Sequence, residues 1–151
     1  MTKRMLFLAT LVLALAIGGF TVYAQVARPY HDGSVWNIAF IHVKPGMDTA
    51  YMNYLAMDWK KEQEALKAEG LILSYKVIGV ESHTPGEFNL MLMTEYKSLA
   101  AMEAGKDKAE AVGQRVTGSD QLQMQGYRNR ADIRDVLGDR LGREIVLEPK
   151  K

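Results

Sequence analysis

The stretch VWNIAFIHVKPG, residues 35–46, decides how this chain folds. Its β-branched and aromatic residues describe a strand, and Lys44-Pro45-Gly46 describe the turn that ends it. Apolar side chains fall on both of its alternating faces, interrupted only by Asn37 and His42. A strand of this kind needs cover on both sides.

Downstream, Tyr51, Leu55, Trp59 and Leu66 recur at three- to four-residue steps, which predicts a helix over 48–69 with Asp48 as its N-cap and Gly70 as its stop. A second strand follows at 71–80, a loop with Pro85-Gly86 at 81–87 and a third strand at 88–96. Ser98 caps a second helix carrying Leu99, Met102, Ala109 and Val112. Beyond Gly113 charge and glycine are mixed, so short helical turns and loops are expected before a last strand at 143–149. This order predicts an α+β, ferredoxin-like four-stranded antiparallel sheet with helices on one face. The opposite face then needs another lid, and a second copy packed sheet against sheet, forming a dimeric α/β barrel, is the simplest one.

Alternation divides the strand residues into two sets. Trp36, Ile38, Phe40, Leu71, Leu73, Tyr75, Val77, Phe88, Leu90 and Leu92 are uniformly bulky, and composition assigns them to the helix-covered core. Asn37, Ala39, Ile41, Ile72, Ser74, Lys76, Ile78, Asn89, Met91, Met93 and Glu95 are apolar but sprinkled with polar groups, as a dimer interface or pocket wall is.

Residues 1–24 have the layout of a secretory signal peptide: Lys3 and Arg4, an apolar run from Met5, and small residues before Gln25. Such a segment addresses the protein to the periplasm or the medium, and an uncleaved anchor, the alternative, would be its only membrane contact. Residues 25–34 read as a flexible arm and 35–151 as the single domain. Cleavage after Ala24 removes two of 19 basic residues and none of 18 acidic ones, so the net charge moves from +1 to −1. Neither value describes a nucleic-acid surface. With no cysteine, the chain has no disulfide and no thiolate nucleophile and stands on its hydrophobic core.

The strand ending in His42-Val43-Lys44-Pro45-Gly46, the 72–78 strand and the 88–96 strand leading into Lys97-Ser98 resemble the dimeric α/β-barrel superfamily, in its antibiotic-biosynthesis-monooxygenase-like branch. The resemblance covers about 35–111, fits 143–148 as the last strand, and extends to uncharacterised secreted bacterial members. It implies paired sheets, with a cavity between sheet and helices or inside the barrel. Members include cofactor-independent monooxygenases acting on polycyclic aromatic substrates, haem-degrading enzymes, muconolactone-type isomerases and proteins without known activity. The haem-degrading pattern is not met: Ala39 stands where that asparagine belongs, and 98–114 lacks the iron-ligating histidine.

Candidate chemistry is sparse. His31, His42 and His83 show no paired metal spacing, so no metal site is expected, and no motif calls for a cofactor. His42 is either a strand-end hydrogen-bonding residue or a general base. Lys76 and Glu95, the charged groups of the polar-sprinkled face, pair with each other or reach solvent; given a cavity there, Lys76 would hold an anion and Glu95 act as a base with a raised pKa. Asn37, Ser74 and Asn89 would donate to a carbonyl or enolate oxygen, as oxygenation through a substrate carbanion requires. Met91 and Met93 would line a pocket for a flat apolar ligand or simply fill the core. The arginines of 128–143, interleaved with aspartates, read as a solvated or dimer-rim network. The function expected is a homodimer binding a small apolar or aromatic molecule, as a cofactor-independent monooxygenase or isomerase; the alternative is a non-catalytic structural module of the cell envelope.

Overall fold

Four strands pair antiparallel in the order β2-β3-β1-β4. The computed structural model describes residues 28–148, so the predicted signal segment lies outside the described residues, and every element falls within Tyr30–Glu148. The strands are β1 (Tyr30–Val43), β2 (Ser74–Gly79), β3 (Leu90–Tyr96) and β4 (Arg134–Leu147). The helices are α1 (Asp48–Tyr54), continued through a π-helical turn (Leu55–Trp59) into α2 (Lys60–Ala68), then α3 (Leu99–Ala104), α4 (Lys106–Thr117) and α5 (Asp120–Asn129), which ends in a 3₁₀ turn (Arg130–Asp132). This is the ferredoxin-like α+β fold. Each crossover joins parallel strands separated by one neighbour, and right-handed crossovers put all the helices on one face.

Central β1 answers the opening question. Val35, Ile41 and Val43 are buried, with Ile41 and Val43 packed against Tyr51, Leu55 and Leu90. Tyr51 is the largest fully buried side chain, and cores of this kind lose roughly 2–5 kcal/mol when a large residue is cut to alanine. A second cluster, Leu66, Ile72 and Val112, joins α2 to α4. Trp36, Ile38 and Phe40 point to the other, open face, where only sheet neighbours shield them.

The ladder corrects the predicted division of faces. Trp36 lies opposite Glu95, Ile38 opposite Met93 and Phe40 opposite Met91, while Ala39 pairs with Leu92 and Ile41 with Leu90. Even-numbered β1 residues therefore share the open face with Ser74, Lys76, Ile78, Met91, Met93 and Glu95, and Asn37, Ala39 and Ile41 belong to the helix-covered core. The two sets were sound within β2 and β3, but just before those strands Ile72 is buried with Leu66 and Val112 and Phe88 packs on Phe40, each against expectation; β1 was slipped by one residue, which exchanges its faces.

Local signals explain most element ends. Gly46 (φ 77°) turns the chain after β1, with the Met47 amide donating to the Lys44 carbonyl at 3.0 Å. Met47, not Asp48, takes the N-cap position, so Asp48 contributes charge to the first turn rather than a cap. At the end of α2, Gly70 (φ 69°) donates to Lys67 and Leu71 to Leu66, each at 3.0 Å, a Schellman closure that accounts for the stop. The Ser98 hydroxyl accepts from the Ala101 amide at 3.1 Å, as predicted. The second helix is divided at Gly105 into α3 and α4, and α5 is a ten-residue helix where short turns and loops were expected. Two strands also start earlier than expected. Strand β1 starts at Tyr30 and takes in residues 30–34 of the predicted arm, and β4 starts at Arg134 rather than 143. Both follow from one ribbon, in which Tyr30 pairs with Leu147 and Val43 with Arg134.

Candidate functional site

Of the residues expected to form a site, Ser74, Lys76, Met91, Met93 and Glu95 share the open face, and Asn37, His42 and Asn89 do not join them. Asn37 is cross-strand from Thr94, whose hydroxyl donates to buried Gln63 on α2 at 3.1 Å, and the Asn37 Oδ1 is buried without a partner. Asn37 thus lies on the face opposite Lys76 and Glu95. Asn89 is committed to the backbone: its Oδ1 accepts from the Val43 amide at 2.8 Å and its Nδ2 donates to the Val43 carbonyl at 3.0 Å. The His42 Nδ1 donates to the Glu87 carbonyl at 2.7 Å, which leaves Nε2 as the one ring nitrogen able to accept. His42 stands six residues along β1 from Trp36, the partner of Glu95, so the two expected catalytic groups are roughly 20 Å apart.

Glu95 is corrected in sign. The Ser74 hydroxyl donates to its carboxylate at 2.5 Å and, with Lys76 nearby, holds it below the ordinary carboxylate range, opposite to the raised value a base needs. Lys76 lies 4.9 Å from the Trp36 ring centre, and no ion pair joins it to Glu95 among the described residues. The open face therefore presents Trp36, Met91 and Met93 with polar groups already engaged, and none of the principal cavities of the described residues is bounded by that patch.

A cavity of about 650 Å³ opens instead between the helices. Tyr54, Asp58, Lys61 and Glu62 face it from α1, the π turn and α2. Val116 and Thr117 close one end, and Leu122, Met124, Tyr127 and Arg130 face it from α5 and its final turn. The π turn admits one extra residue per turn and alters the stagger of the side chains around it, a device often found at functional positions. Gly118 (φ 96°) bends the chain between α4 and α5 so that α5 folds back over the opening.

The inner wall is aromatic and cationic. The Arg130 guanidinium lies 4.1 Å from the Tyr54 ring centre; behind the lining, Arg134 lies 4.9 Å from Tyr127 and 5.8 Å from Tyr51. Arg134 is 6 % exposed, and the Nε atoms of Arg130 and Arg134 are both buried without a partner. Burial pushes the Tyr51 hydroxyl up to about 12, against the pull of Arg134, and raises Tyr54 and Tyr96 as well. Burial also raises Glu62 above the ordinary carboxylate range, with Arg130 opposing. A carboxyl so placed accepts or donates a proton closer to neutrality than a surface glutamate. The arginines of this segment were read as a solvated or dimer-rim network; Arg143 does pair with Asp32 at 2.8 Å on the surface, but Arg130 and Arg134 face inward on tyrosine rings.

Sequence reasoning missed this group. The available signal was the helical spacing of Tyr54, Asp58 and Glu62, one polar edge beside the apolar stripe of Tyr51, Leu55 and Trp59.

No protein-family model and no curated protein matches the chain. Among solved structures it is similar to a NIPSNAP-family protein of unknown function from Agrobacterium tumefaciens, at 14% identity and TM-score 0.47 over 78% of this chain and 92% of that one. It is also similar to a dimeric ferredoxin-like protein from an uncultured marine organism, at 11% identity and TM-score 0.49 over 79% and 92%. An ethyl tert-butyl ether d (ethd) family protein from Bacillus halodurans aligns at 14% identity and TM-score 0.39 over 74% and 98%. The class, a ferredoxin-like α+β domain, rests on the strand order and crossovers themselves.

Proposed function

We propose that this protein is an exported homodimer that binds a small, flat molecule in the cavity between its helices. The observation that carries this reading is the composition of the cavity wall: tyrosine rings and aliphatic side chains around two carboxyls, Asp58 and Glu62, the latter with a raised pKa, and one stacked guanidinium, Arg130. The volume falls in the ordinary range for small-molecule sites. Tyr54 and Tyr127 supply flat apolar contact, Arg130 fixes the polar end of the ligand, and Glu62 moves a proton. Proton transfer at a carbon acid is the step shared by isomerisation and by cofactor-independent oxygenation, the two reaction classes the sequence resemblance implies. His42 and Glu95 lie outside this cavity and have no part in that chemistry.

Dimerisation through the open sheet face is supported by the half-buried row of Trp36, Ile38, Phe40, Met91 and Met93, which a second copy would cover. Export is supported by the charge and apolar run of residues 1–24. That open face also favours a second reading, a structural envelope module whose sheet serves only to dimerise. Native mass spectrometry on protein purified from its host envelope separates the two. A dimer carrying one small molecule per protomer supports the binding function; a ligand-free dimer, indifferent to aromatic and lactone libraries, supports the module.

A further inference from the structure

We infer that the ligand of the helix-side cavity is a small organic anion, an aromatic carboxylate, whose charge neutralises Arg130 with Arg134 behind it. This inference rests on the cavity being a binding site and names the class of molecule it takes.

The argument begins with missing countercharge. Among the described residues, no carboxylate lies within ion-pair distance of Arg130 or Arg134, although other basic residues of the fold find partners, as Arg143 does with Asp32 and Arg115 with Glu69. Arg134 is almost wholly buried, and an unpaired charge in such a place is strongly unfavourable. Stacking on Tyr51 and Tyr127 compensates part of that, since a ring quadrupole attracts a cation but does not neutralise it. Both Nε–H groups remain without acceptors. Glu62 faces the same cavity and is not within ion-pair distance of Arg130. Asp58 and Lys61 also face the cavity, one of each sign, and Asp58 too is outside ion-pair distance of Arg130. What the wall lacks is one acceptor-rich anionic group with a flat body behind it. A carboxylate on an aromatic ring supplies both, with bidentate geometry for a guanidinium and a face for Tyr54 or Tyr127.

Matched acid and amide probes test this on the full chain: benzoate against benzamide, and cinnamate against cinnamamide. Binding is read by calorimetry and by movement of the Tyr54 and Tyr127 ring signals in NMR. The acids are expected to bind about tenfold or more tightly than the amides, the scale of a hydrogen bond to a charged group. Arg130→Met should bring the two within about twofold of each other, while Arg130→Lys keeps part of the preference. Thermal unfolding and circular dichroism establish that each variant is folded, and Lys97→Met, on an exposed residue outside the cavity, serves as a second charge deletion that leaves the preference standing. Equal binding of acids and amides in the cavity, or an undiminished preference in Arg130→Met, overturns the anion assignment and leaves the cavity as a binding site. Failure of every probe to move either tyrosine overturns both.

Discussion

The Arg130 guanidinium lies 4.1 Å from the centre of the Tyr54 ring, so a charge delivered by the last turn of α5 is stacked on an aromatic residue of α1. That contact joins elements some 76 residues apart and forms the inner wall of the cavity. Removing it takes away a cation–π attraction of about 0.5–2 kcal/mol but also relieves a half-buried charge of its desolvation. Arg130→Met should therefore change unfolding free energy by no more than about 1 kcal/mol while weakening binding of small acids, a separation that marks a binding residue. Urea unfolding beside calorimetry checks it; a loss of stability large enough to account for the binding defect would assign Arg130 to the fold.

Glu62 makes stability depend on pH in a definite direction. Its carboxyl titrates higher in the folded chain than in the unfolded one, so its full contribution is present below the unfolded value and is lost as pH rises through the folded value. Glu62→Gln fixes the neutral form. The variant should melt at a higher temperature than wild type at pH 7–8, and the gain should vanish near pH 4. A gain of equal size at both pH values would show that burial does not govern this carboxyl.

On the open face the shift has the other sign. Ser74 holds Glu95 ionised below its usual range, so Ser74→Ala should raise the Glu95 pKa toward that of an unperturbed glutamate. Carboxyl-carbon NMR titration reads the change directly. No movement would mean that Ser34 and Lys76, rather than the Ser74 hydroxyl, set the value.

Asn89 bridges β3 to the end of β1 with two hydrogen bonds to Val43. Asn89→Ala leaves a part-buried amide and carbonyl unpaired and should cost about 1–3 kcal/mol in chemical denaturation, without altering ligand binding. A binding defect larger than the stability loss would restore the role in a ligand site that sequence alone suggested for it.

Ile38 stands at the centre of the open face, between Met93 and Arg140. If a second copy covers that face, Ile38→Glu buries a charge in the interface and should convert the dimer to a monomer that keeps its melting profile in outline. Sedimentation velocity decides it, and a wild-type chain that is monomeric at micromolar concentration contradicts the dimer.

Strand and helix ends were legible wherever a residue acts locally. Gly46 and Gly70 occupy positive-φ positions, and the Ser98 oxygen reaches an amide three residues on; each depends on immediate neighbours only. The register between strands depends on nothing local. Because β1 is apolar on both faces, its alternation could not say which face meets the helices, and the bulk of Trp36 argued for the wrong one. Strand β4 was hidden for a related reason. It is an edge strand whose exposed positions carry Asp135, Asp139, Arg140 and Arg143, charges that protect an edge and also erase the alternating pattern. The cavity was least legible of all, since Tyr54, Glu62, Tyr127 and Arg130 meet only after α5 folds back at Gly118.

Ring-selective NMR of the tyrosines and tryptophans during titration with small aromatic acids tests the central claim most directly. Tyr54 and Tyr127 should shift together and saturate while the Trp36 indole stays still, because the ligand enters between the helices. A saturating shift at Trp36 with Tyr54 and Tyr127 unmoved would put the ligand on the open sheet face and contradict the account.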